Sequence, residues 1–382
     1  MKSISKNIKG APRVPLGELI VLTNNVNSDN VYGIESVKGM TITKEIIPTK
    51  ANLSKADLSK FLIVRQNEFV YNPRTHGKKI GLGYNSSDAP FIISWNNTAF
   101  KVKDTSALEP FFLYLVLSRE EWDREATFRS WGSSTEVLSW VEFCQIEIPL
   151  PSIEVQRKYV AAYRSLQLLA QQNEALAKPL QDACNSYLTE TKSEYDDVCL
   201  GDYIIYSDVR NGDAYGLDNL RGVSIEKAFI PTKADMTGVS LTTYKVIPPN
   251  AFCYVPITSR NGDKITIAVN NSEQTYICSS AYEVFSIKDT SVLLPEYLYL
   301  FFKRGEFDRL ARFNSWGSAR EAFPYYEMER VKIAIPPIEV QKSIAALYTC
   351  AEEARAIARE AREQLKSLAP AMVQRAANTP AT

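Results

Sequence analysis

The chain has 382 residues, of which 45% are hydrophobic, and its 44 Lys and Arg residues equal its 44 Asp and Glu residues. This composition is typical of a globular protein of two or three domains, and the charge balance argues against a solitary nucleic-acid binder. The apolar run Pro110–Leu117 is too short to span a bilayer, and the N-terminus lacks a secretion signal. Six scattered cysteines form no C-x-x-C pair, so we expect a cytoplasmic protein without a membrane partner.

The chain contains an internal duplication. "FRSWGS" at 128–133 recurs as "FNSWGS" at 313–318, 185 residues later, and "PSIEVQ" at 151–156 recurs as "PPIEVQ" at 336–341. Upstream, "IPTKAN" at 47–52 recurs as "IPTKAD" at 230–235 with an offset of 183. The offset changes between Pro73 and Gly77, where the second copy has two extra residues. A period this long predicts two similar domains rather than a solenoid of short repeats.

Each copy begins with runs that are typical of β-strands, because β-branched and aromatic residues alternate and Asn, Gly and Pro interrupt them. These runs are 61–73 and 91–94 in the first copy, and 244–256 and 276–279 in the second. A helix is predicted next, over 110–124 and 295–309, with Pro110 or Pro295 in its first turn.

The segments "SWGSSTE" and "SWGSARE" follow these helices. Ser133 and Glu136, like Ser318 and Glu321, have the spacing of a helix-capping box. We expect the Trp of each segment to pack in a core. A short strand, 144–150 or 331–337, then closes each domain.

Two long helices follow the domains. Heptad spacing predicts a coiled-coil seam in each, and in the second helix the seam is rich in alanine, which indicates close approach of the partner. The predicted seams are Tyr159, Ala162, Leu166, Leu169, Asn173, Leu176 and Leu180, and then Ile344, Leu347, Ala351, Ala354, Ala358, Ala361, Leu365 and Leu368. Pro179 is expected to kink or end the first helix. The alternative is two surface helices that pack on their own domains.

The order of domain, helix, domain and helix resembles the specificity subunits of Type I restriction–modification systems. The "IPLPSIEVQ" and "IAIPPIEVQ" segments resemble the family's helix starts through Pro151, Ile153 and Gln156 and through Pro336, Ile338 and Gln341. The Gly-Ser pairs at 132–133 and 317–318 resemble the family's late-domain turn. Val155 and Val340 depart from the pattern, because many members place Glu directly before Gln.

The resemblance implies a fold class of α+β, with two duplicated target-recognition domains separated by two long antiparallel coiled-coil helices under a pseudo-two-fold axis. The expected boundaries are 1–150 and 196–335 for the domains, with 151–195 and 336–382 for the helices and their tails. About 25 helical residues would span roughly 38 Å, close to one turn of B-DNA.

The resemblance also implies a function. The chain would be a non-catalytic DNA specificity subunit in phage defence, each domain reading half of a split site. Its partners would be double-stranded DNA, two methyltransferase subunits and a restriction or translocase subunit. S-adenosylmethionine would belong to the methyltransferases and ATP with Mg²⁺ to the restriction subunit, with no cofactor in this chain.

Catalytic signals in the chain are weak. "NPRT" at 72–75 lacks the second Pro and the aromatic residue of amino-methyltransferases, and no Walker A loop is present. His76 is the only histidine, which disfavours histidine metal sites and Ser-His-Asp triads.

The best candidates for DNA contact lie where the copies differ, in two polar loops between predicted strands. Such loops can place Arg on guanine, Asn on adenine and Lys on phosphate, although ordinary exposed turns are also polar. The first loop supplies Arg74, Thr75, His76, Lys78 and Lys79, and the second supplies Thr258, Ser259, Arg260, Asn261 and Lys264. Lys50, Lys233 and Arg320 are candidates for phosphate contact.

Two alternative functions stay open on the sequence. The chain could serve a related split-site methylation or defence system with a different effector. It could also be a duplicated scaffold for protein interactions that does not bind DNA.

Overall fold

A computed structural model describes residues 11–53, 56–76, 78–132, 136–232, 234–258, 264–317 and 320–378. The chain forms two compact units. Unit 1 comprises Met1–Gln172 and Ile357–Thr382, and unit 2 comprises Asn173–Ala356. The predicted domain boundaries, which separate each long helix from its domain, stay a prediction.

Unit 1 is built from short strands and helices that precede a long helix. Its strands are β1 (Arg13–Pro15), β2 (Ile20–Leu22), β3 (Lys38–Met40), β4 (Ile46–Pro48), β5 (Leu62–Val64), β6 (Glu68–His76), β7 (Lys79–Tyr84), β8 (Phe91–Ile93), β9 (Thr98–Val102) and β10 (Glu147–Pro149). Its helices are α1 (Leu16–Leu19), α2 (Pro110–Leu117), α3 (Glu120–Phe128) and α4 (Trp140–Gln145), and α5 (Ile153–Glu194) continues into unit 2.

Unit 2 repeats this order. Its strands are β11 (Asp197–Cys199), β12 (Ile204–Ser207), β13 (Arg221–Val223), β14 (Phe229–Pro231), β15 (Lys245–Ile247), β16 (Phe252–Tyr254), β17 (Ile267–Val269), β18 (Tyr276–Cys278), β19 (Glu283–Ile287) and β20 (Lys332–Ala334). Its helices are α6 (Pro295–Lys303), α7 (Gly305–Phe313) and α8 (Tyr325–Glu329), and α9 (Ile338–Asn378) ends in unit 1.

A four-stranded antiparallel sheet forms the centre of each unit. Its order is β2-β9-β6-β7 in unit 1 and β12-β19-β16-β17 in unit 2. Phe69 stacks on Phe100 across the first sheet with ring centroids 5.0 Å apart, and Phe252 stacks on Phe285 in the second at 5.1 Å. The same aromatic pair therefore occupies the same place in both cores, as expected of a duplication.

The helix predicted after the sheet is two helices in each unit. Pro110 and Pro295 occupy the first turn as predicted, but α2 ends before Ser118 and α6 before Arg304. The Ser118 hydroxyl donates to the Tyr114 carbonyl at 2.7 Å, which satisfies a carbonyl at the end of α2. Helices α3 and α7 therefore start as separate elements, at Glu120 and at Gly305.

The repeated "IEVQ" segment contains a buried glutamine that has the same structural role in both units. The Gln156 side chain is fully buried, and its Oε1 accepts from the Glu109 amide at 2.9 Å. Its Nε2 donates to the carbonyls of Ala107 and Pro151 at 2.9 and 2.8 Å. Gln341 makes the same three bonds, to Leu294, Val292 and Pro336. Each glutamine therefore joins the start of a long helix to the start of the helix that covers the sheet.

The two long helices are longer than expected. Helix α5 has 42 residues and α9 has 41. The prediction that Pro179 ends the first helix is wrong, because α5 continues for 15 residues beyond it, to Glu194. Tertiary packing on both sides of Pro179 outweighs the loss of one backbone donor.

The predicted seam is confirmed in α9 and is wrong by one residue in much of α5. In α9, Ile344, four alanines and Leu365 are buried as predicted, with Leu347 and Leu368 half-buried. In α5, Ala162, Leu169 and Leu176 are exposed, whereas Val160, Ala170 and Ala177 are buried. The small alanines take the contact positions because they allow the helix backbones to approach, and two leucines remain outside.

The helices pair in an antiparallel manner within each unit. In unit 1, Val160 near the start of α5 shares the core with Val373 and Ala376 near the end of α9. In unit 2, Cys184 Sγ in the second half of α5 lies 3.8 Å from the carbonyl oxygen of Ile344 near the start of α9. This arrangement confirms the predicted fold class of a duplicated α+β protein with two long paired helices. No helix in the described ranges is long and apolar enough to cross a membrane.

Candidate nucleic-acid interface

The hairpin β6–β7 presents the first predicted loop at one end of the sheet of unit 1. The register between the strands shifts between Tyr71 and Thr75, so β6 carries two more residues than β7 across this stretch. Such a bulge bends the strand and re-aims its side chains. His76 pairs with Lys79, and Lys78 in the turn between them has a φ of +62°. The lysines at this tip are exposed.

The "SWG" loop forms an extra strand beside the bulge. Trp131 and Val137 exchange two backbone hydrogen bonds of 3.2 and 3.0 Å, and Val137 also bridges to Arg74. The Thr75 amide donates to the Glu136 carbonyl at 3.0 Å, and the Leu138 amide donates to the Pro73 carbonyl at 2.8 Å. Hairpin and loop therefore form one continuous ladder.

The structure overturns one expectation. Trp131 and Trp316 do not pack in a core, because they are 73% and 61% exposed. The predicted capping residues Ser133 and Ser318 lie outside the described residues. Helix α4 begins at Trp140, where the Ser139 hydroxyl oxygen accepts from the Glu142 amide at 3.2 Å.

The glycine of this loop is required by its backbone. Gly132 has a φ of +151° and Gly317 a φ of +138°, in the region that favours glycine. A Cβ on Gly317 would lie 2.3 Å from the carbonyl oxygen of Arg320. The turn therefore explains the glycine of each "WG" pair.

An exposed cation and an exposed aromatic ring share one side of the ladder. Directly opposed residues of antiparallel strands point to the same side, so Arg74, Val137 and Trp131 lie in one row. Phe128 ends α3 three residues earlier and is 80% exposed. The neighbouring Thr127 hydroxyl donates to the Lys78 carbonyl at 3.1 Å, which holds the end of α3 against the hairpin turn. We call Arg74, Lys78, Lys79, Phe128 and Trp131 the first tip surface.

Unit 2 builds the same ladder from different residues. Trp316 bridges to Ala322, and Ala322 bridges to Ile257, which takes the place of Arg74. Phe313, at the end of α7, is 80% exposed like Phe128. We call Ile257, Lys264, Phe313, Trp316 and Arg320 the second tip surface.

Threonine occupies the same place in both ladders. The Thr75 hydroxyl donates to the Glu136 carbonyl oxygen at 3.4 Å and to its carboxylate at 3.3 Å. The Thr258 hydroxyl donates to the Glu321 carbonyl at 3.3 Å, and its side chain is buried. In unit 2, Arg312 forms an ion pair with the Glu321 carboxylate. These contacts join loop and hairpin, so both threonines anchor the ladder.

A buried ion pair supports the base of each hairpin. Lys44 Nζ lies 2.5 Å from Asp123 Oδ1, and that oxygen also accepts from the Ile80 amide at 3.1 Å, next to the tip. In unit 2, Lys227 Nζ lies 2.7 Å from Asp308 Oδ1, which accepts from the Ile265 amide at 3.1 Å. Helices α3 and α7 are thereby tied to the hairpins.

The charge state of these lysines depends on their partners. Burial lowers the pKa of Lys44 and of Lys227, and the hydrogen bond to the aspartate opposes this effect in each pair. Removal of either aspartate would leave a cation in a desolvated site. The sequence analysis missed both pairs, because their members lie far apart in the chain and have no local pattern.

The remaining predicted contact residues fall into three groups. Lys50 and Arg320 are exposed, and Lys264 is an exposed cation 3.9 Å from the Glu226 carboxylate. His76 lies in β6 beside the turn. Lys233, Ser259, Arg260 and Asn261 lie outside the described residues. DNA contact by each of these residues stays a prediction.

Among the described residues, no group of His, Cys, Asp or Glu side chains is arranged to hold a metal ion. The two phenylalanines of the tip surfaces were also missed by the sequence analysis. Their signal was present in "FRSWGS" and "FNSWGS", where an aromatic residue directly precedes residues typical of a turn.

Part of the chain matches a known family model. Residues 245–366 match the family model described as "Type I restriction modification DNA specificity domain". This part of the chain is similar to a Type I specificity domain. The predicted resemblance is thereby confirmed, and the matched residues include the second hairpin, the second "SWG" loop and the first part of α9.

A solved structure shares the fold of this chain. The S subunit of a Type I restriction–modification system from M. genitalium is 11% identical, with 100% of this chain and 98% of that chain covered and a TM-score of 0.56. The HsdS subunit from Thermoanaerobacter tengcongensis is 18% identical over 97% of both chains, with a TM-score of 0.44. No curated protein matches the sequence.

Proposed function

We propose that the chain is the DNA specificity subunit of a Type I restriction–modification complex. The match of residues 245–366 to the DNA specificity domain carries this proposal. The duplicated fold extends it, because unit 1 has the same sheet order, the same hairpin-and-loop ladder and the same buried ion pair as unit 2. Each unit then reads one half of a bipartite DNA site.

The tip surfaces are the parts that meet DNA in this proposal. Arg74, Lys78 and Lys79 project from a rigid ladder at one end of the first sheet, where they can bind guanine edges and phosphates. In the second unit, Lys264 and Arg320 supply the corresponding charge, and the sequence adds Arg260 and Asn261. The different residues of the two surfaces give different half-sites, so the whole site is asymmetric.

The long helices set the distance between the half-sites and bind two methyltransferase subunits. The number of residues in the helices can fix the distance between the half-sites, because an α-helix rises about 1.5 Å per residue. The chain itself does no chemistry in this proposal. Methyl transfer from S-adenosylmethionine belongs to the methyltransferase subunits, and ATP- and Mg²⁺-dependent cleavage belongs to a restriction subunit. The complex acts in the cytoplasm, on the DNA of the cell and of invading phages.

Methylome sequencing of the source strain with and without this gene tests the proposal. We expect one asymmetric, bipartite methylated motif to disappear when the gene is deleted and to return when it is restored. An unchanged methylome in a strain with an active partner methyltransferase would contradict the proposal. Methyl transfer by the rigorously purified chain alone would contradict its non-catalytic role.

A paired insertion tests the helices as rulers. Because α5 and α9 pair within each unit, seven residues are inserted after Leu169 and seven after Arg359, which keeps the buried faces in phase. We expect the gap in the methylated motif to lengthen while both half-sites stay the same. An original motif with its original gap would exclude the ruler function.

A further inference from the structure

Each tip surface exposes two large aromatic side chains. Phe128 and Trp131 in unit 1, and Phe313 and Trp316 in unit 2, are each more than 60% exposed. Hydration of such apolar area is unfavourable, so exposed aromatic groups at one place indicate a contact that covers them. The backbone of the turn explains the glycine that follows each tryptophan, but it does not explain the aromatic rings.

The aromatic residues persist while their neighbours change between the copies. Both copies have the sequence Phe-x-Ser-Trp-Gly. The residues in the same row of the ladder as the tryptophan differ: they are Val137 and Arg74 in unit 1, and Ala322 and Ile257 in unit 2. Core packing does not select for the rings, because they are outside the core. The shared rings therefore indicate a function that is common to both units, whereas the differing residues of the row indicate a function in which the units differ.

The position of the rings places them beside the predicted reading residues. Trp131 lies in the same row as Arg74, and Phe128 adjoins Thr127, which is hydrogen-bonded to the hairpin turn at Lys78. The ladder and the buried Lys44–Asp123 pair hold this arrangement. A backbone that is held in this way keeps an exposed ring in position when the ring contacts a binding partner.

The charge around the rings favours a polyanion. Arg74, Lys78 and Lys79 are exposed on the first tip surface, where the Glu136 carboxylate accepts a hydrogen bond from the Thr75 hydroxyl. Lys264 and Arg320 are the exposed cations of the second tip surface. Apolar rings together with exposed cations match a duplex whose phosphates surround stacked bases.

We infer that the exposed Phe and Trp of each unit are wedges that press between base pairs of duplex DNA and unstack one step in each half-site. This inference rests on the proposed function and deepens it. Proteins that bend DNA insert apolar side chains in this way, and the cost of unstacking depends on the step that is opened. The wedges then select flexible steps such as TA or CA in both halves. The residues beside them select particular bases.

Fluorescence of 2-aminopurine tests the wedge directly. The probe is a synthetic duplex with the motif found by methylome sequencing, and 2-aminopurine replaces one base at a time in each half, away from the methylated adenines. The full chain is used without methyltransferase, because base flipping by that enzyme would also raise the signal. We expect a several-fold rise at one step per half-site.

Variants assign each rise to its wedge. Trp131→Ala should abolish the rise in one half only, and Trp316→Ala should abolish it in the other. Trp131→Phe keeps an apolar ring and should keep most of the signal. Since both tryptophans are exposed, their replacement leaves the core intact. The control is Tyr187→Ala, which removes a half-exposed ring from α5 and should change neither half.

Affinity at several salt concentrations separates a wedge from a phosphate contact. Trp131→Ala should weaken binding about tenfold, as expected for the loss of one stacked aromatic group, with an unchanged dependence on salt. Lys79→Ala should reduce the slope of log K against log salt by about 1. A smaller slope for Trp131→Ala would mean that its effect is electrostatic and would overturn the inference.

Two further outcomes distinguish the inference from the proposed function. If the wild-type chain binds the duplex and Trp131→Ala binds it equally, while association with the methyltransferase subunits weakens, the rings are a protein docking site and the inference is wrong. If the wild-type chain and its complex do not bind the duplex, the proposed function itself fails.

Discussion

The two tip surfaces have the same backbone arrangement but present different side chains. In both, the loop pairs with one arm of the hairpin, a threonine hydroxyl joins the two, and the tryptophan of the loop is exposed. On this shared frame, unit 1 presents Arg74 and unit 2 presents Ile257. The residue in the row can therefore differ between the units while the supporting contacts stay the same.

The supports themselves are nearly the same, with one difference. Lys44 Nζ donates to the carbonyl of Ile80 in the hairpin at 2.6 Å, whereas Lys227 Nζ donates to the carbonyl of Phe302 at the end of α6 at 2.5 Å. Lys44 binds an aspartate of α3, and Lys227 binds the equivalent aspartate of α7. The buried pair therefore holds the hairpin more directly in unit 1 than in unit 2.

The largest expected effect is the loss of a buried ion pair. Asp123→Asn and Asp308→Asn should each lower the free energy of unfolding by about 3–5 kcal/mol, because a buried ammonium group loses its counter-ion. Hydrogen exchange should show faster opening at Ile80 in the first variant than at Ile265 in the second. Denaturant unfolding monitored in parallel gives the total loss.

The control for this comparison is Asp182→Asn, which breaks the exposed pair with Lys178 on α5. Its effect should lie below about 1 kcal/mol. Equal and small losses in all three variants would show that the buried pairs do not stabilise the hairpins.

The glutamine clamps are expected to be equivalent in the two units. Gln156→Ala and Gln341→Ala each remove three hydrogen bonds and leave a buried amide and two carbonyls without this partner. We expect a loss of about 3 kcal/mol in the free energy of unfolding for each. Gln171→Ala, at an exposed position of α5, is the control. A clearly unequal loss would show that the two clamps differ in importance.

Exchange of the residues in the ladder row should show that each unit reads its own half of the DNA site. Arg74→Ile should change base preference only in the half-site read by unit 1, at a cost of about 2 kcal/mol against the original base. Ile257→Arg should alter only the other half. Methylated-motif mapping of both variants measures this, and a change in both halves by either variant would refute the division.

The loop of the second unit gives an independent check. Arg260→Ala should relax or weaken only the half read by unit 2, by about 1–3 kcal/mol. If Arg260→Ala instead changed the half-site of unit 1 as strongly as Arg74→Ile does, Arg260 would not be a reader of the half-site of unit 2.

The smallest expected effect concerns the lysines that both copies share. Lys50→Ala and Lys233→Ala should weaken binding to all DNA sequences alike and reduce the salt slope by about 1 each. Their specificity ratio between target and random duplexes should stay constant. A loss that is confined to the target would mean that these residues read bases.

Local patterns predicted the parts of the fold that repeat along the chain. Proline at the start of α2 and α6, the strand runs and the alanine seam of α9 all depend on residues that are close in sequence, and these predictions were right. The predicted seam of α5 is wrong by one residue because close helix contact selects alanine over the neighbouring leucine. The prediction that Trp131 packs in a core is wrong because the backbone ladder with Val137 holds it in an exposed loop.

The candidate site was only half visible in the sequence. The difference between the copies indicated the loops, since scaffold residues matched and Arg74 did not. The ladder between Arg74 and Val137 joins residues 63 positions apart, and the pair Lys44–Asp123 joins residues 79 apart. No local period reports such contacts, so the supports of the site required the structure.

The four exposed rings also affect the colloidal behaviour of the isolated chain. Its 44 cations and 44 anions give no net charge, and its isoelectric point near 6.7 lies close to neutral pH, so molecules repel one another weakly. Phe128, Trp131, Phe313 and Trp316 then provide adhesive patches on molecules that lack electrostatic repulsion. We expect the free chain to precipitate near neutral pH and to be rescued by short duplex DNA, which would both cover the rings and supply negative charge.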